Sequence, residues 1–102
     1  MAKIVILFEE PVDREGFENH YENVHLPIAR RLPDTVIKLG QVVAAPDVPA
    51  GYGTPYRMSE MSFESADAMR KALEGAEWAE VAKDAANLAH YLGKQPLVLL
   101  VE

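Results

Sequence analysis

The tightest cluster of chemically capable residues in the sequence is Phe17-x3-Tyr21-x3-His25-x-Pro27. On a helix Tyr21 and His25 fall one turn apart and about 40° apart around the axis, so they can touch each other or a shared ligand. Imidazole has an ordinary pKa of about 6.5, the nearest to neutrality of any side chain, and a half-buried one beside a cavity is a natural general base. The same histidine has a purely structural use. Pro27 lacks an N–H and frees the Asn23 carbonyl, which a polar residue at the resulting bend can satisfy. Tyr21 lies at the centre of the apolar stripe, where its ring packs into the core while its hydroxyl still needs a partner.

Three further residues are grouped with this pair as ligand contacts: Tyr52, Tyr56 and Glu60. Glu60 stands among apolar neighbours in a strand. On an inner face it would be a cavity carboxylate with a raised pKa, and on a solvated face an exposed acid. Tyr52 sits in the loop Gly51-Tyr52-Gly53, which either covers a cavity mouth or is a tolerated surface insertion. That loop lacks a third glycine and opens no helix, so it is no dinucleotide fingerprint.

His20 and His25 are about 140° apart on a helix, unlike the i, i+4 pair of a zinc helix, so no metal site is expected and His20 reads as a solvated surface residue. His90, near the end of the last helix, suits the helix C-terminal dipole better than metal or haem ligation. Asp84, Asn87, Glu64 and Asp67 read as helix-surface or capping residues with no chemistry attached. No cofactor is expected.

The elements that must hold these residues follow from pattern. Lys3 to Glu9 is a β-branched run closed by Pro11, a buried strand. Asp13 offers an N-cap and Glu15 an acidic first turn to a helix over Arg14 to about Arg31. Phe17, Tyr21, Val24 and Ile28 form its core stripe, with Leu32 on the border, and Pro27 bends it around His25 and Leu26. Thr35 to Ala45 is a second strand, with a bulge or close approach at Gly40. Pro46 to Pro55 is a long connection, and Tyr56 to Glu64 a third strand carrying Tyr56, Met58, Glu60 and Ser62 on one side and Arg57, Ser59, Met61 and Phe63 on the other. Ser65 caps a second helical region broken at Gly75. It carries stripes of Ala66, Met69 and Leu73, then of Trp78, Val81, Ala82, Ala85, Leu88 and Leu92, up to a C′ stop at Gly93. Pro96 to Val101 is a last, wholly apolar strand.

The order β-α-β-β-α-β, with right-handed crossovers, specifies a ferredoxin-like α+β fold: a four-stranded antiparallel sheet with both helices on one face. Its first and last strands are apolar at odd and even positions alike, so the uncovered face is oily and calls for a partner sheet. A homodimer packed sheet to sheet buries that face and leaves room for a small hydrophobic ligand.

Composition narrows the partners. The 102 residues suit one domain spanning 1–102. Sixteen Asp and Glu against ten scattered Lys and Arg give a net charge of −6, which lacks the basic footprint of a nucleic-acid binder. The five-residue apolar run Ile4–Phe8 is too short for a membrane span or a signal sequence. Absence of cysteine removes thiolate chemistry and suits a reducing compartment, with the cytoplasm as the default.

Tyr21-x3-His25-x-Pro27 after Phe17, the Arg30-Arg31-Leu32-Pro33 helix end, Phe63-x-Ser65 opening the second helix and the Trp78 to Asn87 helix resemble the EthD-like proteins of the dimeric α/β-barrel superfamily. The resemblance implies a ferredoxin-like homodimer with a pocket between sheet and helices. It also implies relatives ranging from cofactor-free monooxygenases to lactone isomerases, cyclases, decarboxylases and haem enzymes. The reading it favours is a small cofactor-independent enzyme acting on an apolar or aromatic molecule, with His25 as acid or base and Tyr21 orienting it. The alternatives are a non-catalytic dimeric binding protein for a hydrophobic metabolite, a haem enzyme, and a solidly packed structural dimer.

Overall fold

A computed structural model describes residues 1–102. Strand β1 (Ala2–Glu9) alternates cleanly: Ala2, Ile4, Ile6 and Phe8 are buried, and the residues between them are half-exposed on the opposite face. Strands β2 (Val36–Gln41), β3 (Pro55–Phe63) and β4 (Leu97–Val101) complete an antiparallel sheet in the order β2-β3-β1-β4. This is the ferredoxin-like order expected from the β-α-β-β-α-β succession. Strand β2 is shorter than the Thr35 to Ala45 run, and it pairs with β3 in unbroken register through Gly40. The bulge lies elsewhere: β1 shifts register between Phe8 and Glu9, so Tyr56 is the extra residue facing it on β3.

That bulge alters the faces of β3. Arg57, Ser59, Met61 and Phe63 lie opposite Phe8, Ile6, Ile4 and Ala2 on the helix side, and Met58, Glu60 and Ser62 lie on the other side. Strict alternation would place Tyr56 with the latter group. Instead it is buried against Phe17, its ring 5.9 Å away and edge-on.

The helical layer begins at α1 (Arg14–His20), capped by Asp13, whose carboxylate accepts from the Gly16 N–H at 2.9 Å. Gly16 also permits a close crossing, because a Cβ there would stand 2.6 Å from the Tyr91 ring. The chain then widens into one π-helical turn, Tyr21–His25, in which the Leu26 N–H reaches back to the Tyr21 carbonyl, before α2 (Leu26–Ala29) resumes with Pro27 in its first turn. The expected bend at His25 is therefore a change of pitch. A spacing of four drifts by about 40° per step on an α-helix. The wide turn absorbs that drift, so Phe17, Tyr21, His25 and Ala29 all face the core. Val24, assigned to the stripe by α-helical spacing, is instead exposed.

Ser65 caps α3 (Ala66–Glu74) by accepting from the Ala68 N–H at 3.1 Å, and Gly75 breaks it from α4 (Ala76–Leu92). Gly93 ends α4 in the left-handed region, with φ at 86°. Phe8, Phe17, Tyr21, Met61, Phe63, Met69, Val81, Leu88 and Leu92 fill the space between helices and sheet. Within it the Phe8 ring meets those of Phe17 and Tyr21 edge-on at 5.5 Å, contacts worth about 0.5–1.5 kcal/mol each beyond buried area. The far face of the sheet carries Val5, Leu7, Met58, Leu97, Leu99 and Val101, and β4 is exposed along its whole length. No helix is long and apolar enough to cross a membrane.

Candidate functional site

The π-helical turn and α4 bring together three residues that lie far apart in sequence. Asp84 occupies the middle of α4, buried between Val81 and Leu88. Its Oδ2 is 2.8 Å from His25 Nδ1, both of its oxygens are within 3.0 Å of His20 Nε2, and its Oδ1 accepts from the Asn87 amide at 3.0 Å. The His25 and Asp84 side chains are each 7% exposed, and that of His20 is 16% exposed.

These findings correct two expectations. His20 is tucked against α4, its ring 5.6 Å from that of Tyr91, and is no solvated surface residue. Asp84 and Asn87 are parts of a connected network rather than unrelated surface or capping groups. A signal for Asp84 was present: within the stripe of Val81, Ala85, Leu88 and Leu92 it lies about 40° from Leu88, and an acid on a core-facing stripe must find donors. His20 is similarly about 60° from Phe17, on the flank of its own stripe.

A carboxylate between two imidazoles invites comparison with a metal centre. Here the imidazole nitrogens nearest Asp84 are engaged by its carboxylate oxygens, and no group of three or more such side chains is arranged to hold an ion. Burial pushes the Asp84 carboxyl upward, but hydrogen bonds from Asn87, His25 and His20 outweigh it and hold the group below the usual carboxylate range. Burial holds His25 below its ordinary value, outweighing the attraction of Asp84. The pair is thus a carboxylate and a neutral imidazole. With Asp84 accepting from Nδ1–H, Nε2 is left as the unprotonated nitrogen.

His25 contributes to the wall of a cleft of about 150 Å³ between α4 and the strands β1 and β4. Ile6, Phe8, Val81 and Leu88 form its buried floor, and Trp78, Ala82, Ala85, Pro96 and Val98 stand around its mouth. His25 is the one titratable residue in the lining.

Tyr21 stacks on His25 with ring centroids 6.1 Å apart, so the structure does bring this pair together. Its hydroxyl is buried without a hydrogen-bond partner, and burial pushes its pKa up. On its other side the Arg57 guanidinium lies 5.3 Å from its ring centroid. Arg57 also clasps Glu18 through Nε, at 3.0 Å, and through Nη2, while the Tyr56 hydroxyl donates to the same carboxylate. Arg57 holds Glu18 below the usual range against the effect of burial. Tyr56 is thereby committed to Glu18 and does not line the cleft.

The other two expected contacts lie elsewhere. Tyr52 is exposed beside a separate hollow of about 300 Å³ that includes Glu9, Gly53 and Gln95. Glu60 lies on the far face of the sheet, 2.5 Å from Lys3 Nζ, which holds its pKa below the ordinary value. The raised pKa expected of a cavity carboxylate is not found in the single chain.

Comparison with known proteins agrees with this architecture. The model of the EthD domain matches residues 9–90. A Rhodococcus erythropolis protein, an uncharacterized 11.0 kDa protein of the thcB-thcC intergenic region, is 25% identical over 89 residues, covering 87% of this chain and 84% of that one. The crystal structure of an ethyl tert-butyl ether d (EthD) family protein from Bacillus halodurans C-125 superimposes with a TM-score of 0.83 at 29% identity, covering 100% of this chain and 97% of the other. An EthD-like protein from Ralstonia eutropha JMP134 shares the fold with a TM-score of 0.67 at 18% identity, over 99% and 89% of the two chains. With four-fifths of its length matched by the domain and its fold shared throughout, the chain belongs to the EthD family.

Proposed function

We propose that the chain is a cofactor-independent acid/base enzyme acting on a small apolar molecule, with His25 moving the proton. The observation that carries this reading is the placement of one neutral imidazole, braced by a buried carboxylate, in the wall of an otherwise apolar cleft. Nε2 takes a proton from a weakly acidic O–H or C–H of the ligand. The resulting imidazolium is stabilised by Asp84 through Nδ1–H, and the proton is then returned to another atom of the same molecule. Such a transfer supports isomerisation or cyclisation. Asp84, His20 and Asn87 fix the imidazole, while Tyr21 packs along its face.

The chain is also read as a homodimer. The apolar residues Val5, Leu7, Met58, Leu97, Leu99 and Val101 on the far face of the sheet suit a second copy, for which sedimentation equilibrium should give twice the 11.3 kDa chain mass.

The decisive experiment for the chemistry is His25→Ala on a substrate found by screening apolar weak acids. General acid/base catalysis contributes about 10²–10⁴-fold, and a loss of that size is expected. Turnover at the wild-type rate would sink the assignment. A change in affinity with no rate to lose would favour the binding-protein reading.

A further inference from the structure

The cleft beside His25 is specific enough to name a ligand class, an inference that rests on reading that cleft as the ligand site. We propose that it takes a neutral phenol of single-ring size, its ring against the apolar walls and its O–H donating to Nε2 of His25.

Size is the first observation. The cleft has a volume of about 150 Å³. An apolar cavity of about that volume holds benzene in a well-studied engineered protein, and a fused two-ring system exceeds it. Charge is the second. No Lys or Arg lines the cleft, and the ionised Asp84 stands hydrogen-bonded to His25. A carboxylate ligand would give up its hydration for a site with no cation and a negative charge nearby, which is strongly unfavourable. The ligand must therefore enter uncharged. Chemistry is the third. A neutral imidazole whose Nδ1 is already engaged has one lone pair to offer, at Nε2. It calls for an uncharged donor, and a phenolic O–H, with an ordinary pKa of about 10, is a stronger hydrogen-bond donor than an aliphatic alcohol.

The same walls identify the residue that sets the size limit. Along α4 the cleft is lined by Trp78, Val81, Ala82, Ala85 and Leu88, one face of the helix, and the two alanines leave the gap that the larger residues on either side would close. Ala82 is exposed at the rim, whereas Ala85 is half-buried, so Ala85 governs the enclosed part.

The test measures binding rather than turnover. Phenol, benzoate and 2-naphthol are titrated into the full chain at neutral pH, with calorimetry for affinity and imidazole ¹⁵N resonances for location. Phenol is expected to bind and to shift Nε2 of His25, with benzoate and 2-naphthol at least tenfold weaker. In the graded series Ala85→Gly, Ala85→Val and Ala85→Leu, phenol affinity should fall in step with side-chain size, by tenfold or more at Leu. The milder Val variant keeps the test usable should Leu prevent folding. Benzoate binding as tightly as phenol, or affinity indifferent to residue 85, would overturn the ligand class and leave the acid/base reading of His25 standing. Failure of all three probes to perturb His25 would remove both.

Discussion

Asp84 on α4 and Glu60 on β3 are both acids set among apolar neighbours in the sequence, yet they occupy regions with opposite electrostatics. The far face of the sheet, where Glu60 lies, gives it a mobile lysine partner: Lys3 Nζ approaches to 2.5 Å and Lys38 pairs with it across the β2–β3 ladder. In the single chain solvent reaches this pair, so the attraction there is screened and readily replaced by water. The space between helices and sheet gives Asp84 hydrogen-bond donors instead, two imidazoles and an amide on fixed backbone. One acid is kept ionised by a counter-charge, and the other by hydrogen-bond geometry in a place water scarcely enters. A surface pair does not orient a catalyst. A buried three-donor carboxylate does.

The largest effect follows from emptying the second region. Asp84→Ala leaves His25, His20 and Asn87 without their common acceptor, and should destabilise the fold by about 3 kcal/mol. A lower urea midpoint at unchanged slope would show it. The same substitution should remove the brace from His25 and with it most of any activity. An unchanged midpoint would mean that the network carries no weight.

An intermediate effect is expected from pH. The folded chain holds His25 below its ordinary value, so the unfolded chain takes up that proton first as the medium is acidified. The stability gained by keeping His25 neutral is therefore complete above about pH 6.5 and is lost from there down to its folded pKa. Asp84 is also depressed, so its contribution is complete above about pH 4 and is lost as pH falls through its folded value. Urea midpoints measured from pH 8 to 5 should fall below about 6.5 in the wild type and lose most of that slope in His25→Asn. An identical slope in both would show that His25 does not titrate as a buried group.

The smallest effect belongs to the other region. Glu60→Gln should shift the melting midpoint less than either change above and leave the ¹⁵N shifts of His25 undisturbed. A loss as large as that of Asp84→Ala would mean that the pair is shut away from solvent, as a second copy seated on the far face would make it.

The fold was legible because its signals are local. Asp13 and Ser65 cap their helices, Gly75 and Gly93 stop theirs, and the β-branched run after Lys3 is buried on alternate residues. Each follows from neighbouring side chains and backbone geometry alone. The site was half legible. Tyr21 and His25 could be paired from helical spacing, whereas Val24, Tyr56, His20 and Asp84 could not be placed. The wide turn misplaces Val24 because an α-helical period assumes i to i−4 bonds, and here a bond to i−5 replaces one of them. Tyr56 defies strand alternation because the bulge opposite Phe8 adds one residue to one strand only. His20 and Asp84 come together because α1 crosses α4 at Gly16, a long-range contact that no local period contains.

The turn from Tyr21 to His25 amounts to a helix carrying one residue more than its regular pitch holds. Its contribution is thus one of length as much as of composition. A codon deleted between Tyr21 and His25 would let the segment relax to the ordinary pitch. The imidazole would then stand three residues after Tyr21, about 60° from it around the axis, while both residues remained in the gene. In this chain the site is written as much in the count of residues between its members as in their identity.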